Sequence, residues 1–175
     1  MKLYLVRHGQ TTGDIEDRYG GSYDDHMTEK GREQLGVTAQ RLVGKGIEVV
    51  FSSPLVRARE SAEIISQAVG APVQIVEGLE ERDYGVLTGL TKNEAREKYP
   101  DVVESHKDYL STDPEGESYD DFNRRVVDTL KDILTRNDAI VVIVSHGGPI
   151  KIILRHLGQP APDKLDDGHI IELIS

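Results

Sequence analysis

Short apolar runs rich in β-branched residues alternate along this chain with longer stretches that have the period of a helix. The runs at 2–6, 47–51, 73–76 and 139–144 predict strands, and a last strand, at the edge of the sheet, is expected at 169–174. Such alternation is typical of a mostly parallel sheet with helices on both faces. The sequence therefore predicts an α/β fold, a three-layer α/β/α sandwich.

Capping residues and helix breakers mark the helices between these strands. Ser, Thr and Pro suit the first turn of a helix, and Gly is favoured just beyond the last turn. Helix starts are expected at Thr28, Ser53-Pro54, Thr91, Ser118 and Pro149. The corresponding ends are expected near Gly44, Gly70, Tyr99, Arg136 and Gly158. We expect a single domain over 1–175, with a small lid segment at about 86–117.

Composition narrows the function classes. With 175 residues, 37% of them hydrophobic, the chain can build one full core. Its net charge of −10 argues against nucleic acid, whose binding depends on Lys and Arg. There is no cysteine, which excludes disulfides and thiolate metal sites. No apolar run is long enough to span a membrane, and the N-terminus resembles a strand and not a signal peptide, so we expect a cytoplasmic protein. Nothing in the sequence indicates an oligomeric state.

Three of the predicted strands run directly into polar turns. These turns are Arg7-His8-Gly9, Ser52-Ser53-Pro54 and Ser145-His146-Gly147-Gly148. Parallel strands bring such turns to one edge of the sheet, which is where ligands of these folds bind. An arginine beside a histidine keeps the imidazole neutral and nucleophilic, and it can also bind a phosphate through two parallel hydrogen bonds. The turns predict a phosphate site with His8 as the nucleophile.

Other charged residues could complete such a site. Arg57 is expected in the first turn or so of a helix whose N-terminus suits an anion, whereas Arg59 is expected to face solvent. His146 could donate a hydrogen bond to a phosphoryl oxygen. Glu80 and Glu81 belong to a charged run that is either simply solvated or supplies the proton donor for a leaving alkoxide.

Several segments together resemble the histidine phosphatase superfamily, and more narrowly its phosphoglycerate-mutase-like branch. The segments are 5–11, 28–32, 52–63, 79–85 and 144–147, in this order and with the family's spacing. The resemblance implies a phosphoenzyme cycle in which His8 attacks phosphorus in line. Arg7, Arg57 and His146 would hold the equatorial oxygens, and Glu81 would protonate the leaving oxygen. It implies neither a metal nor another cofactor.

One position departs from the family's pattern. Where members often read Glu-Thr-Glu-Trp-Asn after the histidine, this chain reads Gln10-Thr11-Thr12-Gly13-Asp14. An ionised carboxylate accepts hydrogen bonds but cannot donate them as the amide does. If Asp14 faces the pocket, we expect it to limit phosphate affinity. It would then pair with a cation such as Arg18, be protonated, or leave the donor role to Thr11 and Thr12. The alternative is a solvated turn residue outside the site.

The resemblance also suggests how the substrate is bound. Tyr84 and Lys92 match residues that the mutases place near phosphoglycerate. The Asp24-Asp25 pair, in contrast, is expected in a solvated loop. The other substrate-binding candidates are Thr11, Asp14, Gly20, Gly21 and Gly147. The mutases' long insertion is absent after Gly85. This favours a phosphomonoesterase for small-molecule phosphate esters. The alternatives are a phosphoglycerate mutase and a catalytically weak module that binds a phosphate ligand.

Overall fold

A computed structural model describes residues 1–174 and contains one five-stranded sheet. The strands are β1 (Lys2–Arg7), β2 (Val49–Ser52), β3 (Val73–Ile75), β4 (Ile140–Ser145) and β5 (Ile170–Ile174). Their order is β3-β2-β4-β1-β5. The first four strands are parallel, and β5 pairs with β1 in the antiparallel sense. The predicted α/β fold, with its mostly parallel sheet and a last strand at the edge, is confirmed.

Seven α-helices connect the strands in the part of the chain that the structure describes. They are α1 (Thr12–Ile15), α2 (Glu29–Leu42), α3 (Val56–Val69), α4 (Lys92–Lys98), α5 (Pro100–Ser105), α6 (Tyr119–Leu134) and α7 (Gly147–His156). The hydroxyls of Thr28, Thr91 and Ser118 accept backbone hydrogen bonds at the starts of α2, α4 and α6, as predicted. Within residues 1–174, no helix is both long and apolar enough to cross a bilayer.

Two predicted helix starts were wrong. Helix α3 begins at Val56, after Ser53-Pro54, because its cap comes from a distant loop: Asp24 Oδ1 accepts a hydrogen bond from the Val56 N–H at 2.6 Å. Helix α7 begins at Gly147, two residues before Pro149, with His146 at the capping position. Helix α3 starts shortly after the carboxyl end of β2, and α7 starts shortly after that of β4.

Alternate residues of the central strands pack on opposite faces of the sheet. On one face, Leu3 and Leu5 contact a core covered by α6 and α7. On the other, Tyr4 and Val6 contact a core covered by α2 and α3. Fully burying one large apolar side chain stabilises a fold by about 1.5–3 kcal/mol. The two cores fix the sheet between two helical layers, which is the predicted three-layer sandwich.

The segment at 86–117 has a small core of its own, which includes Leu87 and Ala95. Its far end is attached to the rest of the chain by Arg82, whose buried guanidinium donates hydrogen bonds to the carbonyl oxygens of Tyr109, Ser111 and Glu117. The segment contains the short helices α4 and α5. Helix α5 begins at Pro100, where the sequence predicted only the end of the preceding helix. The role of this segment as a lid stays a prediction.

Candidate active site

The carboxyl ends of β1 and β4 lie side by side, with Arg7 paired to Ser145 in the parallel register. The residues that follow them are therefore neighbours. The rings of His8 and His146 have centroids 5.1 Å apart, and both side chains are buried. Strand β2 lies on the other side of β4, which places Ser53 Oγ 2.8 Å from His146 Nε2. All three polar turns meet at one edge of the sheet.

The ring of His8 is held in one tautomer. Its Nδ1 lies 2.8 Å from the carbonyl oxygen of Gly9, which can only accept, so Nδ1 carries the proton and Nε2 the lone pair. Burial, followed by the positive charges of Arg57 and Arg7, holds the pKa of His8 well below its usual value of 6.5. The ring is therefore neutral at physiological pH. A neutral imidazole with an accessible Nε2 lone pair is a nucleophile.

Arg57 is the central cation of the site and is 4% exposed. Its Nε donates to His8 Nε2 at 3.3 Å, and its terminal nitrogens donate to the carbonyl oxygens of Gly21 and Tyr23. Asp25 Oδ1 forms an ion pair with it at 3.1 Å. The prediction that Asp25 lies in a solvated loop was wrong, because the loop folds over Arg57 and its carboxylate balances the buried guanidinium.

Arg7 offers a second cation beside His8. It donates to the carbonyl oxygen of Leu165 and forms an ion pair with Asp167 at 3.2 Å. Its buried Nε has no hydrogen-bond partner among the described residues, and neither has Nδ1 of His146. Burial, together with the charge of Arg57, also lowers the pKa of His146 well below 6.5. A buried N–H without a partner costs about 1–3 kcal/mol, and phosphoryl oxygens are suitable acceptors for it.

These groups surround a cavity of about 180 Å³ that we call the phosphate cavity. The predicted site residues in its wall are Arg7, His8, Thr11, Asp14, Gly20, Gly21, Arg57, Glu81, Tyr84 and Gly147. His146 is not among the residues of this wall, but its ring centroid lies 5.1 Å from that of His8. Over residues 1–174, no three His, Asp or Glu side chains converge in a way that could hold a metal ion. The positive charge of the cavity comes from its arginines.

Asp14 takes part in a capping box at the start of α1. Its Oδ2 accepts hydrogen bonds from the backbone N–H and the hydroxyl of Thr11, at 2.8 and 2.9 Å. Of the three alternatives for Asp14, pairing with Arg18 is not observed, since Arg18 forms its ion pairs with Glu16 and Glu94. The Thr11 hydroxyl is itself committed to Asp14. The effect of Asp14 on phosphate affinity stays a prediction.

Lys92 lies outside the phosphate cavity. Its ammonium group stands 3.2 Å from the centroid of the Tyr19 ring, in a separate cavity that Arg96 and His106 also line. Burial in this position lowers the pKa of Lys92. Lys92, the first residue of α4, thus lies against Tyr19, and the structure does not bring this candidate to the phosphate cavity with the others.

Glu81 lines the phosphate cavity together with His8. Its Oε2 accepts a hydrogen bond from the Gly148 N–H at 2.9 Å, at the N-terminus of α7, and its Oε1 accepts one from the N–H of Arg82. Glu80 points elsewhere and pairs with Arg125 at 3.2 Å. The structure thus separates the two neighbouring glutamates: Glu81 lies in the site, and Glu80 holds α6.

Gly148 keeps space for the carboxyl group of Glu81. A Cβ at this position would lie 2.2 Å from Glu81 Oε1, whereas a Cβ at Gly147 would meet nothing within 4 Å. We therefore expect Gly148→Ala to displace Glu81 and to lower kcat/KM for an alkyl phosphate about tenfold or more, within the range that general acid catalysis contributes. Gly36→Ala in α2, away from both cavities and with nothing within 4 Å of an added Cβ, is the control and should have a small effect. Equal kcat/KM values for the two variants would show that Gly148 does not position Glu81.

A family model described as "Histidine phosphatase superfamily (branch 1)" matches residues 3–174. "Bifunctional protein Rv2228c" of Mycobacterium tuberculosis is 39% identical over 160 residues, which are 88% of this chain and 43% of the relative. The chain thus spans less than half of that relative's length. A "2,3-bisphosphoglycerate-dependent phosphoglycerate mutase" of Parvibaculum lavamentivorans is 34% identical over 181 residues, covering 98% of this chain and 84% of the mutase.

Solved structures agree with this match. "Bacillus stearothermophilus YhfR" superposes with a TM-score of 0.88 at 27% identity, over 98% of this chain and 89% of that one. A "putative alpha-ribazole-5'-P phosphatase" from Escherichia coli gives 0.84 at 26% identity, with the same coverage of 98% and 89%. The family match extends over nearly every residue, including the strand-end histidines and arginines. This chain belongs to the histidine phosphatase superfamily.

Proposed function

We propose that this protein is a metal-independent phosphomonoesterase that hydrolyses small-molecule phosphate esters through a phosphohistidine on His8. The observation that carries the proposal is the phosphate cavity itself. Its wall contains a neutral His8, whose Nε2 has a lone pair, together with Arg7, Arg57 and the carboxyl group of Glu81. A nucleophile, two cations and a proton donor around one small cavity are the parts that phosphoryl transfer needs.

In the first step, His8 Nε2 attacks phosphorus, the P–N bond forms and the P–O bond to the alcohol breaks. The alcohol oxygen takes a proton from Glu81 as it leaves. Arg7, Arg57 and His146 stabilise the charge on the remaining phosphoryl oxygens. The Arg57 N–H that contacts Nε2 loses its acceptor when the lone pair forms the P–N bond, so it becomes available to a phosphoryl oxygen.

In the second step, a water molecule attacks phosphorus from the side that the alcohol has left. Glu81, now ionised, accepts a proton from this water while the P–N bond breaks. His8 returns to its neutral form, Glu81 regains its proton and inorganic phosphate leaves. The hydrogen bonds from the N–H groups of Gly148 and Arg82 keep the carboxyl group in place through both steps.

A phosphoglycerate mutase is the second candidate, because the 34% identical relative bears that name. A mutase would pass the phosphoryl group from His8 to a hydroxyl of phosphoglycerate and not to water. That relative aligns with nearly the whole chain over 181 positions, so the two candidates are distinguished by the acceptor of the phosphoryl group and not by a long insertion.

The test is an assay with p-nitrophenyl phosphate in the presence of EDTA, with 3-phosphoglycerate assayed in parallel. We expect steady release of phosphate that chelation leaves unchanged, because arginines supply the charge. Activity that is lost in EDTA and restored by one divalent ion would contradict a metal-free mechanism. Interconversion of phosphoglycerates faster than phosphate release would identify a mutase, and phosphate binding without turnover would identify a binding module.

A further inference from the structure

A second, larger cavity of about 460 Å³ adjoins the phosphate cavity. The two share Arg7, Glu81, Tyr84 and Gly147 in their walls. Since Glu81 is placed to protonate the leaving oxygen, the side of Glu81 away from His8 is where the alcohol part of a substrate lies. The larger cavity is therefore the space for the leaving group, and we call it the leaving-group cavity.

One wall of the leaving-group cavity is a single face of α7. This face presents Gly147 and Gly148 at the start of the helix, then Lys151 and Arg155. Residues four apart lie on the same side of a helix, and the rise of 1.5 Å per residue places these two cations about 5 and 10 Å beyond Gly148 along the axis. The opposite face of α7 is buried in the core. Both cations are thus held on the cavity side.

These cations lack acidic partners. The side chain of Arg155 forms no hydrogen bond or ion pair within residues 1–174, and that of Lys151 donates only to the backbone carbonyl oxygen of Asp163, at 2.6 Å. Both side chains therefore have donors available to an anionic ligand. The wall also contains the carboxylates of Glu81 and Asp163. Lys164, a third cation, pairs with Asp166 at 3.7 Å and faces solvent.

The other wall is aromatic. Tyr84 and Tyr109 line this part of the cavity, and the Arg82 guanidinium donates a hydrogen bond to the backbone carbonyl oxygen of Tyr109 at 2.6 Å. Burial and the nearby Glu81 charge raise the pKa of Tyr109 to about 12, so its hydroxyl stays neutral. Aromatic rings bury the carbon skeleton of a ligand well, and the hydroxyls give it polar contacts.

We propose that the leaving-group cavity is a subsite for a second anionic group on the substrate, a carboxylate or a phosphate, held by Lys151 and Arg155. The substrate class is then a phosphate monoester whose alcohol carries another negative charge, separated from the ester by a carbon skeleton that lies against Tyr84 and Tyr109. The assignment rests on the proposed function, because it places the scissile phosphoryl group beside His8.

Binding of phosphonates tests the subsite without any turnover, because a P–C bond is not hydrolysed. The probes are hexylphosphonate, 6-phosphonohexanoate and hexane-1,6-diphosphonate, which share one carbon chain and differ only at its far end. We expect the last two to bind about fivefold more tightly than the first, the scale of two partly exposed ion pairs, and the preference to shrink in added salt. Isothermal titration calorimetry measures the three dissociation constants.

Lys151→Gln and Arg155→Gln should each reduce this preference, and the double variant should remove it. Arg124→Gln, an exposed cation on α6, is the control and should keep it. A gain from only one of the two end groups would identify that anion as the ligand of the subsite. Equal binding of all three probes by the unaltered protein would overturn the subsite. Turnover of p-nitrophenyl phosphate by the same preparation tests the phosphatase separately, so a failure of either proposal is recognised on its own.

Discussion

His8→Ala should abolish turnover and should also remove the phosphate that becomes attached to the protein during it. The lone pair on Nε2 forms the P–N bond, and alanine supplies no replacement. We expect kcat to fall by about 10⁴–10⁶-fold, the scale on which removal of a covalent nucleophile acts. The measurement is rapid quenching during turnover of a labelled substrate. In the unaltered protein it should trap phosphate that is labile in acid and stable in alkali.

Two controls make this result specific. His26→Gln alters an exposed histidine, with 71% of its side chain accessible, and should leave both label and turnover in place. Circular dichroism should show that the His8→Ala protein is folded, since removing a buried imidazole leaves the two sheet cores intact. Acid-labile phosphate on the His8→Ala protein would mean that another residue is the nucleophile.

Glu81→Gln should slow the hydrolysis of alkyl phosphates far more than that of p-nitrophenyl phosphate. The amide oxygen can still accept the hydrogen bond from Gly148, although the NH2 group cannot accept the one from Arg82, and the amide has no acidic proton to give. General acid catalysis contributes about 10²–10⁴-fold, and we expect a loss in this range for an alkyl leaving group. The p-nitrophenolate ion leaves easily without protonation. Single-turnover phosphorylation of His8 is the quantity to measure, because it isolates the step in which the alcohol leaves.

The neighbouring glutamate is the matched control for this experiment. Glu80 pairs with Arg125 and accepts a hydrogen bond from the N–H of Gly78, away from the phosphate cavity. Glu80→Gln should therefore have a mild effect on both substrates. Equal losses for the alkyl and the p-nitrophenyl ester in Glu81→Gln would count against the role of Glu81 as the acid.

Local sequence signals were enough to predict most of the fold. Each parallel strand coincides with a short apolar run, and the predicted hydroxyl caps at Thr28, Thr91 and Ser118 form the expected hydrogen bonds. The proximity of the strand-end residues Arg7, His8 and His146 could also be predicted, because a parallel sheet brings the ends of its strands to one edge. These inferences require only the chain on either side of the residue.

Contacts between residues that are far apart in the sequence could not be predicted in this way. Asp24 caps α3 and Asp25 balances Arg57, and both partners lie 32 residues further along the chain. Two adjacent aspartates by themselves indicate a solvated loop, because no neighbouring residue in the sequence shows that Asp25 will pair with a buried guanidinium. The position of Lys92 could not be predicted for the same reason, because its contact with Tyr19 depends on how the 86–117 segment folds.

The hydrogen bonds by which Arg82 holds the 86–117 segment all go to backbone carbonyl oxygens. A carbonyl is the same in every amino acid, so the side chains at Tyr109 and Ser111 can be exchanged during evolution without loss of the attachment. Glu81 precedes Arg82 directly and keeps its own place at the start of α7. Natural selection can thus alter the wall that meets the alcohol of the substrate while the proton donor stays where it is, and new preferences can arise from substitutions in one short surface segment.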